Sequence, residues 1–260
     1  MRIREILDTI NAFAPLNLQE SWDNSGVQVG DTSEECTGVL LCVDATETII
    51  DEAWQRGCNL VVAHHPLLFR GLKQIVGKSV VERTVLKAIR EGITVFSAHT
   101  SLDSTRGGIS WEMARMLGAE VTSVLAPSTA DSSVGLGVVA ELPEAVEPRE
   151  FAELVKKTFG SPSCRCTFLP SEPIKRIAMC GGAGGEFIPK AIASGAQAYI
   201  SSDTRYHDFV DHGQDIFLVD IGHYESESCA KHIFYRVINE EFPNFAVCKS
   251  ELEKNPINYF

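Results

Sequence analysis

The sequence predicts an α/β protein made of two related βαβ-type domains, and two observations lead there. Short apolar runs of strand length alternate with amphipathic stretches of about a dozen residues, the pattern of parallel strands joined by helical crossovers. The pattern also recurs. Gly57 follows Cys42 by fifteen residues and Gly195 follows Cys180 by fifteen, and a new apolar run opens after each glycine, at Leu60 and at Ala198. The next strand of each half ends at a histidine with an acid four residues on, His99 with Asp103 and His223 with Glu227. In this alignment His64 and His65 fall opposite Ser202 and Asp203. A duplication of this kind would point matching strand ends at one shared crevice, where α/β sheets hold their ligands.

Ile3, Ile6, Leu7 and Ile10 have helical spacing, so the chain opens on an amphipathic helix rather than a signal peptide. Pro15 to Gly30 reads as a loop entering a short strand, and Val39 to Val43 as a buried strand. Thr46 caps a helix whose inner face holds Ile49, Ile50, Ala53 and Trp54, ending at Gly57. The strand Leu60 to Ala63 runs into His64, His65 and then Pro66, which cannot continue a central ladder. Ser79 to Glu82 is a capping box for a helix through Val81, Val85, Ala88 and Ile89, stopped by Gly92. Ile93 to Phe96 is the next strand, and Gly107-Gly108 leads into a helix through Ile109, Met113 and Leu117.

From about Ala126 the composition turns small and polar, before a strand from Val134 to Leu142. Pro148 suits the first turn of a helix through Phe151, Leu154, Val155 and Phe159 that Gly160 closes. A strand from Ile174 to Cys180, the glycine run Gly181 to Gly185, a helix to Gly195 and strands at Ala198–Ser201 and Ile216–Ile221 come next. A helix from Glu225 to Glu240 and a strand within Phe245–Leu252 finish the chain. The domains are therefore expected at residues 1–125, completed by 226–260, and at 126–225.

Composition narrows the function classes. A net charge of −12 argues against a protein that grips a phosphate backbone non-specifically. Eight cysteines show no CxxC spacing and mostly sit in apolar runs, as buried thiols of a reducing compartment do; Cys164 and Cys166 are the only close pair. No apolar stretch reaches the length of a membrane span, so the expected setting is cytoplasmic.

The chemistry gathers at strand ends. Side chains of neighbouring residues on extended backbone point opposite ways, so His64 and His65 can serve two ions side by side. Alone, the pair fits an ordinary strand end as well. His99 with Asp103 and His223 with Glu227 bring the total to four imidazoles and two carboxylates, a donor mix suited to zinc, manganese, iron, cobalt or nickel rather than calcium or magnesium. Two such ions close together activate water for hydrolysis. Gly181 to Gly185 fits either a phosphate cradle or a tight turn, and it matches no P-loop pattern.

Four segments then appear in a familiar order: Trp22-Asp23-Asn24-Ser25-Gly26-Val27-Gln28-Val29-Gly30, His64-His65-Pro66-Leu67-Leu68-Phe69, Ala98-His99-Thr100-Ser101-Leu102-Asp103 and Gly222-His223-Tyr224-Glu225-Ser226-Glu227. Over nearly its whole length the chain resembles the YbgI-like family of dinuclear-metal proteins, many of which are named GTP cyclohydrolase 1 type 2. The resemblance implies two related α/β domains around the metals, assembled as a toroidal homohexamer. It implies two divalent ions per chain on His64, His65, Asp103, His223 and Glu227, with the glutamate shared. It implies hydrolytic opening of the GTP purine ring, releasing formate and leaving dihydroneopterin triphosphate. Rival readings are another nucleotide or phosphoester hydrolase, and a metal-binding scaffold without turnover. The expected partner is a small nucleotide or phosphorylated molecule, with no membrane and no nucleic acid. His99 is not a ligand in the family and reads as a substrate-contacting or supporting group, or as packing; His207 lies at a family position near the crevice, or in a solvated loop. Relatives carry Thr-Gly-Glu or Thr-Gly-Asp where this chain has Ser201-Ser202-Asp203.

Overall fold

A computed structural model describes residues 1–260. In chain order its elements are α1 (Ile3–Phe13), β1 (Gly26–Val29), β2 (Val39–Cys42), α2 (Glu47–Gln55), β3 (Leu60–Ala63), α3 (Val80–Arg90), β4 (Thr94–Ser97) and α4 (Thr100–Ser104). Next come α5 (Ile109–Met116), β5 (Glu120–Pro127), β6 (Gly135–Val146), α6 (Pro148–Phe159), β7 (Arg165–Cys166), β8 (Ile174–Ala183) and α7 (Ile188–Ala193). The last are β9 (Ala198–Ser202), α8 (Tyr206–His212), β10 (Phe217–Asp220), α9 (His223–Glu227), α10 (Ala230–Glu241) and β11 (Val247–Lys249).

The chain divides into two compact units, Met1–Thr105 with Ala230–Lys254, and Arg106–Cys229 with Asn255–Phe260. The change to the second unit thus comes earlier than the composition shift at Ala126. Its cause is pairing: β5 lies antiparallel to β6 along its length, so α5 and β5 both belong to the second unit. The expected long last helix is broken at Ser228 and Cys229, which leaves α9 in the second unit and α10 in the first.

The first unit holds a five-stranded sheet in the order β1-β4-β3-β2-β11. Strands β2, β3, β4 and β11 run parallel, and β1 closes one edge antiparallel to β4. Cys42 pairs with Ala63 and Ala63 with Ser97, so three neighbouring strands stop level with one another. Every residue of β2, β3 and β4 is buried, and Leu40, Val61 and Val95 join Ile50, Val85 and Ala88 of the covering helices in one core. Removing such side chains from water contributes about 1.5–3 kcal/mol for each large one.

The second unit holds a six-stranded sheet in the order β5-β6-β8-β9-β10-β7. Its part β8-β9-β10-β7 repeats β2-β3-β4-β1 strand for strand, three parallel strands and then an antiparallel edge. The internal repeat read in the sequence therefore exists as matching topology.

Local signals act as expected at several ends. Thr46 Oγ1 accepts from Ile49 N, Ser79 Oγ accepts from Glu82 N at 3.1 Å, and Gly160 closes α6 with φ +64°. Two helix faces differ from expectation, since Trp54 is 60% and Ile89 57% exposed. On α2 the buried place goes to Glu52, whose carboxylate accepts from Ser250 Oγ and from the N–H groups of Glu251 and Leu252. None of the eight cysteines forms a disulfide, and no helix is long and apolar enough to cross a membrane.

Candidate metal centre

In the first unit the level strand ends place the histidines. Strand β3 ends at Ala63, yet the backbone stays tied to the neighbouring strand, His64 N to Val43 O at 3.1 Å and His65 N to the same carbonyl at 2.9 Å. Pro66 then turns the chain away. The His64 ring is wholly buried, with Nδ1 3.0 Å from Ala98 O. A carbonyl oxygen only accepts, so Nδ1 donates and Nε2 carries the lone pair, 3.6 Å from Asp103 Oδ1 on the first turn of α4.

The same device holds the other two rings. His65 Nδ1 lies 2.8 Å from Asp44 Oδ1, and His99 Nδ1 lies 2.8 Å from Asp23 Oδ1. Ring centroids are 5.0 Å apart for His64 and His65, 5.3 Å for His64 and His99 and 5.5 Å for His65 and His99. One ligand atom from each of the three falls within 4.8 Å of the others. Tying Nδ1 to a carboxylate or carbonyl fixes the ring and makes Nε2 a better metal donor. This donor set, three imidazoles with Asp103 beside them, fits a borderline divalent ion by its chemistry.

Asp23 is itself locked in place. Its side chain is fully buried and accepts from His99 Nδ1, Asn24 N, Ser25 Oγ, Thr100 N and Thr100 Oγ1. Burial opposes its ionisation, but the hydrogen bonds from His99 and Thr100 outweigh burial and hold the carboxyl well below the usual range.

The second unit supplies an imidazole and a carboxylate from one short helix. His223 and Glu227 sit a turn apart on α9, with Nε2 and Oε2 3.0 Å apart, and the Glu227 side chain is 3% exposed. His223 Nδ1 is held 2.9 Å from Asp203 Oδ2. Asp203, just past β9, has φ 53°, the one positive φ outside glycine, in a region that aspartate tolerates better than most residues.

The glycine run Gly181 to Gly185 is not a cradle. Strand β8 continues through Ala183, and the N–H groups of Gly181, Gly182 and Gly184 already donate to Ser110, Ser226 and Ser201. These glycines make room instead. A Cβ on Gly182 would come within 2.2 Å of Glu227 Oε1, and one on Gly181 within 2.4 Å of Ile109.

His207 stands on α8 rather than in a loop, exposed, with its ring edge-on to Tyr206. Sequence reasoning misses Asp44 as a tether; its position just past β2, beside the end of β3, is the one signal that could have found it. Asp23 is visible inside a motif but carries no role there.

The family and the fold are shared with known proteins. The family model described as Duf34/NIF3 (NGG1p interacting factor 3) matches residues 1–256. A Clostridium perfringens protein named GTP cyclohydrolase 1 type 2 homolog is 36% identical over 228 residues, 87% of each chain. Among solved structures, a Bacillus cereus protein related to NIF3 shares the fold with a TM-score of 0.94 at 23% identity, over 100% of this chain and 99% of that one. The protein ybgI shares it with a TM-score of 0.83 at 22% identity, over 99% of this chain and 100% of the other.

Proposed function

Since the chain belongs to the Duf34/NIF3 family, we propose that it is a divalent-metal-dependent hydrolase acting on a nucleotide, with His64, His65, Asp103, His223 and Glu227 as ligands to two ions. The observation that supports this most is the shared tethering. His64, His65 and His223, like His99, each have Nδ1 within hydrogen-bond distance of an oxygen acceptor, which fixes the ring, and Nε2 of His64 and of His223 faces Asp103 and Glu227. A divalent ion on such ligands supplies Lewis acidity and makes water acidic enough to serve as a nucleophile near neutral pH.

The chain's own groups do the rest. Ala98 O, Asp44 and Asp203 hold the ligating rings, and Gly182 leaves space for the Glu227 carboxylate. The name borne by the relatives points to GTP, opened to formate and dihydroneopterin triphosphate, as the reaction to test first. A toroidal homohexamer is part of the proposal, and light scattering at micromolar concentration checks it.

The deciding experiment reloads the chelated protein with zinc, manganese, iron, cobalt or nickel, counts ions by elemental analysis, and offers GTP beside a phosphoester panel. Two ions per chain and formate release are expected, with the double variant His64→Ala/His65→Ala folded but empty. Glu227→Gln should lower occupancy of both ions and Asp103→Asn mainly one. Bound ions with cleavage of phosphoesters alone would move the assignment to another hydrolase, and bound ions with no turnover would move it to a scaffold. No ion above background would overturn the reading.

A further inference from the structure

We propose that Trp22 and Phe69 form a stacking subsite for a planar heteroaromatic ring beside His99; this rests on the nucleotide reading above only for the identity of the ligand. Both side chains are large and apolar yet exposed, 58% and 49%. Single exposed aromatics are common, but two in contact at the rim of a polar cluster are not. Their ring centroids are 6.0 Å apart with planes at 60°, an edge-to-face contact that makes a corner and leaves both rings about half exposed. A flat ring laid on one face offers its edge to the other, the geometry aromatic groups prefer.

His99 joins the corner to the imidazole cluster. Its ring lies edge-on to Trp22 at 6.0 Å and to Phe69 at 6.3 Å, while its other neighbours are His64 and His65. A ring stacked at the corner therefore lies next to the metal-binding imidazoles. The polar neighbour favours a heteroaromatic ring over a hydrocarbon one.

The corner is built in advance. Trp22 and Phe69 come from different loops, and Asn24 Nδ2 donates to Leu68 O at 2.8 Å to bind the two together. Gln28, 9% exposed, bridges them again, accepting from Leu68 N and donating to Asn24 O. Next to Trp22 stands Asp23, held by the five donors described above. Loops fixed before binding lose little entropy when a ligand arrives. The net charge of −12 makes a nucleic-acid strand a poor occupant, and a single base is the occupant proposed.

The test uses the full chain, chelated and metal-loaded, with guanosine as a ring without phosphate and ribose 5-phosphate as a phosphate without the ring. Equilibrium dialysis should show guanosine binding the chelated chain and ribose 5-phosphate failing to bind it. Trp22→Ala and Phe69→Ala should each weaken guanosine binding by about fivefold to a hundredfold. Trp22→Phe should keep most of the binding. Trp54→Ala, which removes an exposed indole from α2, should keep all of it. Unfolding midpoints of the variants confirm that they are folded. Equal guanosine affinity in all four variants overturns the subsite, and so does a lack of guanosine binding in both metal states. A chain that still takes up two ions in that last case loses the subsite and keeps the metal reading.

Discussion

His223 Nδ1 lies 2.9 Å from Asp203 Oδ2, and the aspartate that makes this contact holds a left-handed backbone, φ 53°. The contact and the strain have separable effects. Asp203→Ala should weaken divalent-ion binding by about tenfold to a hundredfold, the usual effect of losing a group that orients a ligating histidine. Asp203→Gly should weaken it equally but unfold at a higher temperature than the alanine variant, because glycine takes positive φ without strain. Ion titration followed by calorimetry and a thermal scan of both proteins separates the two.

Gly182→Ala should disturb Glu227 more than any surface change. The added Cβ would lie 2.2 Å from Glu227 Oε1, and the backbone has φ +63°. A cost of about 1–3 kcal/mol in stability is expected from overpacking, together with loss of bound ion. Gly185→Ala, whose Cβ comes no nearer than 3.3 Å to Asp208, should be close to neutral. Denaturant midpoints and ion counts on both variants check this.

Two thiols should react before the others. Cys164 lies 3.6 Å from Cys166, and Cys248 lies 3.9 Å from Cys58. A hydrogen bond from Cys166 brings Cys164 down to about 7, and one from Cys58 does the same for Cys248. Burial drives Cys42 the other way. Iodoacetamide at a pH of about 7.5 should label Cys164 and Cys248 first, and Cys42 only after unfolding, as read by peptide mass mapping.

Asp23 makes stability depend on acid. Its folded carboxyl titrates below the ordinary value of 3.8, so its contribution is complete above that value and is lost as pH falls toward the folded one. The wild type should therefore lose more unfolding free energy between about pH 6 and pH 3 than Asp23→Asn does. Equal losses in urea titrations would show that the carboxylate is not the source.

Much of this was legible in the sequence, for reasons that differ by residue. Strands β2, β3 and β4 showed because buried parallel strands are unbroken apolar runs, and the ligand-type residues showed because they come directly after such runs. The repeated glycine spacing exposed the matching topology of the two sheets. The tethers did not show: Asp44 and Asp23 lie far along the chain from the histidines they hold, and nothing in the chain near His65 or His99 signals a carboxylate partner. Gly181 to Gly185 stayed ambiguous because space for a neighbour and exposure to an anion leave the same letters. Trp54 misled because helical spacing does not say how far a helix is rotated once a buried acid such as Glu52 claims the inner side.

The split first unit has a consequence for how the protein is made. Strand β2 has β11 as one neighbour, and the Glu253 carboxylate accepts from the N–H groups of Val43 and Asp44, the residue that positions His65. These partners are complete only once the ribosome has passed residue 253, long after β2 has emerged, whereas nearly all of the second unit is already complete. The growing chain thus carries an open sheet edge through most of its synthesis, and closing it joins residues about 200 positions apart. Asp44, and through it the His65 ring, takes its final place last, and a cut near Phe245 removes the closing strand of the unit that was translated first.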